Sequence, residues 1–83
     1  MVNLNGTLQS TQEGKVSINN RGLQYGDAVF ETLKVVSNRI NFWEDHYFRL
    51  MASMRILRME IPMTFSMEFL ENEILKTIMA SNL

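Results

Sequence analysis

The chain has 83 residues, of which eight are basic and nine are acidic, and its formal net charge is −1. This length allows one domain or a part of one. The balanced charge gives no reason to expect binding to nucleic acid or to an anionic membrane. Because cysteine is absent, a disulfide scaffold and a cysteine metal site are excluded, and we expect a cytoplasmic protein.

Membrane insertion and secretion are not expected. Hydrophobic residues make up 46% of the chain, but no apolar run approaches the roughly 20 residues that span a bilayer. The first residues, MVNLNG, lack both the positive start and the apolar run of a signal peptide. The expected protein therefore has neither a membrane anchor nor a leader sequence.

The first predicted element is a β-hairpin. Val2–Leu4 and Thr7–Gln9 read as two short strands on either side of Asn5-Gly6. Asn-Gly favours the positive φ angles of a two-residue type I′ turn and is therefore a local hairpin signal. Residues 12–15 are polar and contain a glycine, which predicts a loop, and residues 15–18 predict a brief extended piece.

The main strand is predicted over Ala28–Ser37, where side chains should alternate between two faces. One face is mostly apolar and is expected to pack on helices; it carries Val29, Glu31, Leu33 and Val35. The other face carries Phe30, Thr32, Lys34 and Val36. A turn at residues 37–39 and an antiparallel return strand over Arg39–Phe42 follow.

Two helices complete the chain. The first is predicted over Trp43–Arg58, because apolar residues recur there at three- and four-residue steps. These are Tyr47, Leu50, Met54 and Leu57. The second is predicted over Ser66–Asn82, with Ser66 as its N-cap and with an apolar stripe of Leu70, Ile74 and Ile78. Strands followed by a helix pair predict an α+β fold with two helices on one face of an antiparallel sheet.

Two blocks of the sequence carry a family resemblance. Residues 20–35 read NRGLQYGDAVFETLKV, and residues 44–50 read EDHYFRL. This order and spacing resembles the class IV, fold-type IV, pyridoxal-phosphate enzymes, which include branched-chain aminotransferase, D-amino-acid aminotransferase and aminodeoxychorismate lyase. The resemblance implies an enzyme that moves an amino group between an amino acid and a 2-oxo acid, or a lyase that acts on an amino-chorismate.

The resemblance assigns roles to five side chains. It gives Arg49 a contact with the phosphate of pyridoxal 5′-phosphate, and a planar guanidinium suits phosphate oxygens. It also places Tyr25 and alternate residues of the next strand around the substrate. Strand periodicity independently puts Phe30, Thr32 and Lys34 on one face, so we expect these residues to bind substrate.

His46 and Arg21 are expected to be structural. One departure from the family pattern, at Thr32, bears on which substrate is used. His46 is the only histidine, and no zinc, calcium or iron pattern surrounds it, so no metal site is predicted. Asn20 stands where many relatives have aspartate, so we do not expect a preceding carboxylate to hold Arg21. Thr32 stands where branched-chain aminotransferases tend to have glycine, which makes the D-amino-acid and lyase branches closer.

The lysine that carries the cofactor in this family is not recognisable in the chain. Lys15, Lys34 and Lys76 are the only lysines, and none lies in a context that resembles it. We therefore expect residues 1–83 to form an incomplete N-terminal α+β domain without a catalytic residue, and the cofactor-lysine domain to lie outside the chain. The resemblance also implies a homodimer.

An alternative interpretation is a non-catalytic α+β module that dimerises or binds another protein. Seven methionines are many for this length, and methionine adapts to partner surfaces. Met51, Met54 and Met59 are the candidates for a methionine-rich contact surface. The two interpretations differ in one respect, which is whether the lysine domain follows in the natural protein.

Overall fold

The computed structural model describes residues 1–82, which form two small antiparallel sheets and three helices. The elements, in chain order, are β1 (Val2–Leu4), β2 (Thr7–Gln9), α1 (Arg21–Tyr25), β3 (Val35–Val36), β4 (Arg39–Ile40), α2 (Trp43–Ile56) and α3 (Met67–Ala80). The predicted α+β class is confirmed. The prediction of one sheet is wrong, because β1 pairs with β2 and β3 pairs with β4 in separate ladders.

The β1–β2 hairpin closes at Asn5-Gly6, as the sequence predicts. Both residues have positive φ angles, 55° at Asn5 and 89° at Gly6, and the two flanking residues pair across the turn. Glycine suits this conformation because it has no Cβ. The side chain of Asn3 then links the hairpin to α3 by donating from Nδ2 to Glu73 Oε2 at 2.8 Å.

The segment predicted as strand Ala28–Ser37 has the side-chain alternation of a strand but little of the ladder. Of residues 28–37, only Val35–Val36 pairs with another strand. Within residues 1–82, no backbone hydrogen bond holds residues 29–33. Odd-numbered residues from Val29 to Val35 are half-buried, whereas the even-numbered residues between them are exposed. Alternating burial needs only a facing helix, whereas a ladder needs a partner strand. Residues 15–18, also predicted as extended, form no strand.

Residues 21–25 form a short helix that is not among the elements predicted from the sequence. Asn20 caps it, since Oδ1 accepts the Gly22 N–H at 2.8 Å. Gly26 ends it with a φ of 77° and donates its own N–H to the Gly22 carbonyl at 3.2 Å. Asparagine before a helix and glycine after it are typical boundaries, so the missed helix has a sequence signal at both ends.

The α2 helix begins at Trp43, as predicted, and ends at Ile56 instead of Arg58. Met51 lies on its inner face and is 3% exposed, which makes it the core residue of the described part of the chain. Leu57, the last predicted member of the apolar stripe, is 43% exposed. The stripe stops there because the helix has already ended.

The α3 helix packs against β1 and α2. It ends at Ala80, two residues before the predicted end at Asn82. Its predicted apolar stripe is half-buried and consists of Leu70, Ile74 and Ile78.

Two aromatic side chains of α2 fix the start of α3. Trp43 Nε1 donates to the Met67 carbonyl at 3.1 Å, and the Tyr47 hydroxyl donates to the Phe65 carbonyl at 2.7 Å. Between these carbonyls, Ser66 Oγ accepts a backbone N–H of the first turn at 3.0 Å, which confirms the predicted N-cap. The first turn of α3 is therefore held both by its own cap and by α2.

We expect Tyr47→Phe to lower the free energy of unfolding by about 1–2 kcal/mol, because one partly buried hydrogen bond is lost and the Phe65 carbonyl loses its donor. Urea unfolding followed by circular dichroism measures this change. Tyr25→Phe is the matched control: Tyr25 is 66% exposed, so we expect a change within about 0.5 kcal/mol. A Tyr47→Phe variant with the wild-type urea midpoint would contradict the role of this contact.

Candidate functional site

A carboxylate, an imidazole and a guanidinium meet between the extended segment 28–34 and α2. Glu31 lies on the half-buried face of the segment and accepts two hydrogen bonds from Arg49. Arg49 Nε donates to Oε2 at 2.9 Å, and Nη2 donates to Oε1 at 2.8 Å. Two parallel bonds between charged groups are stronger than neutral hydrogen bonds and fix the orientation of the guanidinium plane.

His46 lies three residues before Arg49 and completes this carboxylate cluster (Glu31, His46 and Arg49). His46 Nδ1 is 2.6 Å from Glu31 Oε1. An ionised carboxylate can only accept hydrogen bonds, so we assign a proton to Nδ1. Arg49 Nη2 lies 3.1 Å from the same Nδ1, which is then a contact between two donors and not a hydrogen bond. The imidazole therefore holds Glu31, and Glu31 holds Arg49.

The cluster keeps its carboxylate ionised. The Arg49 guanidinium first, and the His46 imidazole second, lower the pKa of Glu31 from its usual 4.5 to about 2. Hydrogen bonding to Glu31 in turn raises the pKa of Arg49 beyond its usual value. The side chains of Glu31 and His46 are each 15% exposed, whereas that of Arg49 is 59% exposed. One edge of the guanidinium thus rests on a sheltered carboxylate, and the other faces solvent.

The outward edge of Arg49 keeps unused hydrogen-bond donors. A guanidinium carries five N–H donors. Glu31 accepts hydrogen bonds from only two of them, the N–H of Nε and one N–H of Nη2. No carboxylate among residues 1–82 pairs with Nη1, which leaves that nitrogen to donate to phosphate oxygens. The remaining donors of Arg49 are of the kind that can bind the oxygens of an anion.

The cluster contains no amine. Lys76 is paired with Glu73 at 2.9 Å, and Lys15 and Lys34 are exposed. In the part of the chain that the structure describes, no group of histidine and acidic side chains could hold a metal ion. No helix there is long and apolar enough to cross a membrane.

The predicted substrate residues lie on the outer face of the segment. Phe30 is 87% exposed, and Thr32 and Lys34 are exposed on the same face. Tyr25 belongs to α1 instead, where its ring lies 4.7 Å below the guanidinium of Arg21. The structure thus groups three of the four residues by face, opposite the carboxylate cluster, and their contact with substrate stays a prediction.

Sequence reasoning misses two acidic partners. It assigns Glu31 to the packing face without naming a partner, although a carboxylate on such a face requires a cation or hydrogen-bond donors. Arg49 on the facing helix is the available cation. Sequence reasoning also considers only a carboxylate that precedes Arg21, whereas Asp27, six residues later, pairs with it at 2.8 Å. The short helix α1 brings these two charges together.

Stability should depend on acid pH through Glu31. Its pKa is about 2 in the folded chain and usually 4.5, so the ionised carboxylate contributes fully above about pH 4.5, and this contribution is lost as the pH falls towards 2. We expect Glu31→Gln to lower the urea midpoint of unfolding at neutral pH. The difference between the midpoints of the variant and the wild type should become smaller as the pH falls from about 5 to about 3.

The control for this pH series is Glu60→Gln. Glu60 is exposed and forms no ion pair within residues 1–82, so its removal should leave the midpoint close to wild type throughout. A gap between Glu31→Gln and wild type that does not change with pH would contradict the assigned electrostatics.

Comparisons with known proteins place this geometry in a family context. The family model described as amino-transferase class IV matches residues 28–83. A putative branched-chain-amino-acid aminotransferase of Methanocaldococcus jannaschii is 34% identical over 80 residues, which cover 96% of this chain and 27% of that protein. A D-alanine aminotransferase of Staphylococcus aureus is 38% identical over 50 residues, which cover 60% and 18%, respectively. A D-alanine aminotransferase of Listeria monocytogenes is 32% identical over 79 residues, which cover 95% and 26%.

The chain therefore spans between 18% and 27% of the length of these curated relatives. The region that the family model matches contains the whole carboxylate cluster and the exposed face of residues 30–34. Because this match covers more than half of the residues, the chain belongs to the class IV aminotransferase family.

Proposed function

We propose that the whole protein is a pyridoxal-phosphate-dependent class IV aminotransferase, an enzyme that transfers an amino group between an amino acid and a 2-oxo acid. The observation that carries this proposal is the state of Arg49. It is bound on one edge to Glu31 and open to solvent on the other. A guanidinium fixed in this way suits a phosphate group, and the class IV match over residues 28–83 supplies the chemical context.

Each member of the carboxylate cluster has a proposed task. Arg49 donates to the phosphate of the cofactor. Glu31 holds the guanidinium plane and His46 holds Glu31, so much of the rotamer freedom of a long arginine is lost before phosphate arrives, which lowers the entropic cost of binding. When bound, pyridoxal phosphate supplies an electron sink, whereas the protein supplies orientation and electrostatics.

The exposed face of segment 28–34 is the proposed substrate wall. The ring of Phe30 offers apolar contact, and Thr32 and Lys34 offer a hydroxyl and an ammonium group on the same face. Tyr25, from α1, is the fourth proposed contact. The substrate branch, which is branched-chain, D-amino acid or aminodeoxychorismate lyase, is open, since relatives named as branched-chain and as D-alanine aminotransferases both match. We also propose a cytoplasmic location, which the absence of cysteine supports.

The three methionines expected at a contact surface do not form an exposed patch, which gives the alternative, a non-catalytic dimerisation module, no support from them. Met51 is 3% exposed, and Met54 and Met59 are half-buried. The most exposed methionines are instead Met63 and Met79, which lie elsewhere in the chain.

The proposed function is tested by amino transfer. We expect the whole protein, supplied with pyridoxal phosphate, to pass amino groups from at least one class of amino acid to a 2-oxo acid. The assay should include branched-chain L-amino acids, D-alanine and glutamate as amino donors. The products should be detected by a method that does not depend on released ammonia. We expect a polypeptide of residues 1–83 alone to be inactive, because its three lysines lie outside the cluster. A whole protein that transfers no amino group from any donor would refute the proposal.

Cofactor retention tests Arg49. In the whole protein, we expect Arg49→Ala to weaken binding of pyridoxal phosphate by about 1.5–3 kcal/mol, the value of hydrogen bonds to a charged group. Arg58→Ala is the matched control, since Arg58 is exposed and lies after the end of α2. Spectroscopic titration of the cofactor into each apoprotein measures both affinities, and equal affinities would refute the assignment.

A double variant separates phosphate binding from the loss of the ion pair. Arg49→Ala leaves Glu31 ionised without its cation, which could disturb the segment indirectly. Combining it with Glu31→Gln removes that unpaired charge. We expect the double variant to recover stability but not cofactor affinity.

We also propose that the whole protein is a homodimer. Several of the apolar side chains that protrude into solvent lie in residues 16–30, and these are Val16, Ile18, Leu23, Tyr25 and Phe30. Exposed apolar patches usually mark interfaces. We expect Leu23→Glu to raise the dissociation constant in sedimentation equilibrium, whereas Ile56→Glu, at an even more exposed position on α2, should not. A wild-type protein that remains monomeric at every concentration would contradict this arrangement.

A further inference from the structure

The turn between β1 and β2 carries a reactive pair that the proposed function does not use. Asn5 and Gly6 are exposed and both have positive φ angles. A Cβ added at Gly6 would meet no atom within 4 Å, so solvent reaches the turn freely. In an Asn-Gly pair, the glycine nitrogen can attack the preceding side-chain amide with little steric hindrance, because no Cβ stands in the way.

We propose that Asn5 is a site of spontaneous deamidation whose rate is set by the side chain of Asn3, held in place by Glu73. In the reaction, the Gly6 amide nitrogen loses its proton to hydroxide and bonds to Asn5 Cγ. The bond from Cγ to the side-chain nitrogen breaks, and that nitrogen takes up a proton and leaves as ammonia. Water then opens the cyclic imide to aspartate or isoaspartate, so that no oxidant or cofactor is consumed.

The folded turn opposes the first step of this reaction. The Gly6 N–H donates to Asn3 Oδ1 at 2.8 Å, so the nitrogen that must lose a proton is already engaged. Asn3 Nδ2 donates in turn to Glu73 Oε2 at 2.8 Å, and Lys76 holds the same Glu73 oxygen at 2.9 Å. A chain of hydrogen bonds therefore runs from α3 to the reacting nitrogen, and deamidation requires that chain to open.

The product changes the surface beside the turn. Asn5, Gly6 and Glu73 line a groove of about 490 Å³ together with Phe65 and Phe69 of the α3 region. Deamidation places a new carboxylate on a rim that already holds Glu73, and like charges repel. Isoaspartate also lengthens the backbone of a two-residue turn, which disturbs the strand register that the turn fixes.

The test follows every asparagine of the full chain by peptide mass spectrometry during incubation at mildly alkaline pH. We expect Asn5 to convert first, into a mixture of aspartate and isoaspartate. Asn38 is the internal comparison, because it occupies the other two-residue turn with a φ of 61° but precedes Arg39, whose side chain hinders the attack. We expect Asn3→Ala to raise the Asn5 rate roughly two- to tenfold, the factor that one hydrogen bond contributes.

Two further variants make the result specific. Glu73→Ala breaks the second bond of the chain and should raise the rate in the same direction. Ser10→Ala removes a comparable turn hydrogen bond, from the Glu13 N–H to Ser10 Oγ at 3.2 Å, and should leave the Asn5 rate unchanged.

The outcomes that overturn the proposal are an Asn5 that stays intact in both wild type and Asn3→Ala, and an Asn5 that converts at the same rate in both. If circular dichroism shows that Asn3→Ala does not fold, the ratio of the Glu73→Ala rate to the Ser10→Ala rate decides the question instead, and a ratio of one refutes the proposal.

Discussion

The bidentate contact between Glu31 and Arg49 joins two parts of the chain that no backbone hydrogen bond connects. Residues 29–33 have no ladder partner within residues 1–82, so side chains alone hold them against α2. Two charged hydrogen bonds at 2.8 and 2.9 Å give this contact a direction that apolar packing lacks. The position of the exposed face, with Phe30 and Lys34, follows from the way Glu31 is anchored on the other side.

The elements that sequence predicts correctly are those whose causes lie within a few residues. The Asn5-Gly6 turn, the Ser66 cap and the start of α2 at Trp43 each depend on local geometry. Strand pairing around residues 28–37 depends on a distant partner, and composition in that stretch contains no information about one. Alternating burial survives without the partner because a facing helix is sufficient to shelter every second side chain.

The candidate site likewise has features that can be predicted from the sequence and one feature that cannot. The spacing of His46 and Arg49 on one helix is local and visible in the sequence, and so is the grouping of Phe30, Thr32 and Lys34 on one strand face. The partner of Arg49 is not visible, because Glu31 lies 18 positions earlier and belongs to a different element. A carboxylate on an otherwise apolar face is nevertheless a signal in itself, since burial of an ionised group requires compensation.

The pairing of Arg49 has a consequence for electroneutrality. A phosphate that approaches this guanidinium meets a positive charge that Glu31 already balances. An isolated cation attracts anions over about 8 Å at physiological ionic strength, whereas a neutral ion pair acts chiefly at contact distance. Recognition then depends on the direction of the remaining N–H bonds and favours an oxygen that lies in the guanidinium plane. Anion binding at this position should accordingly respond less to salt than binding to an unpaired lysine would.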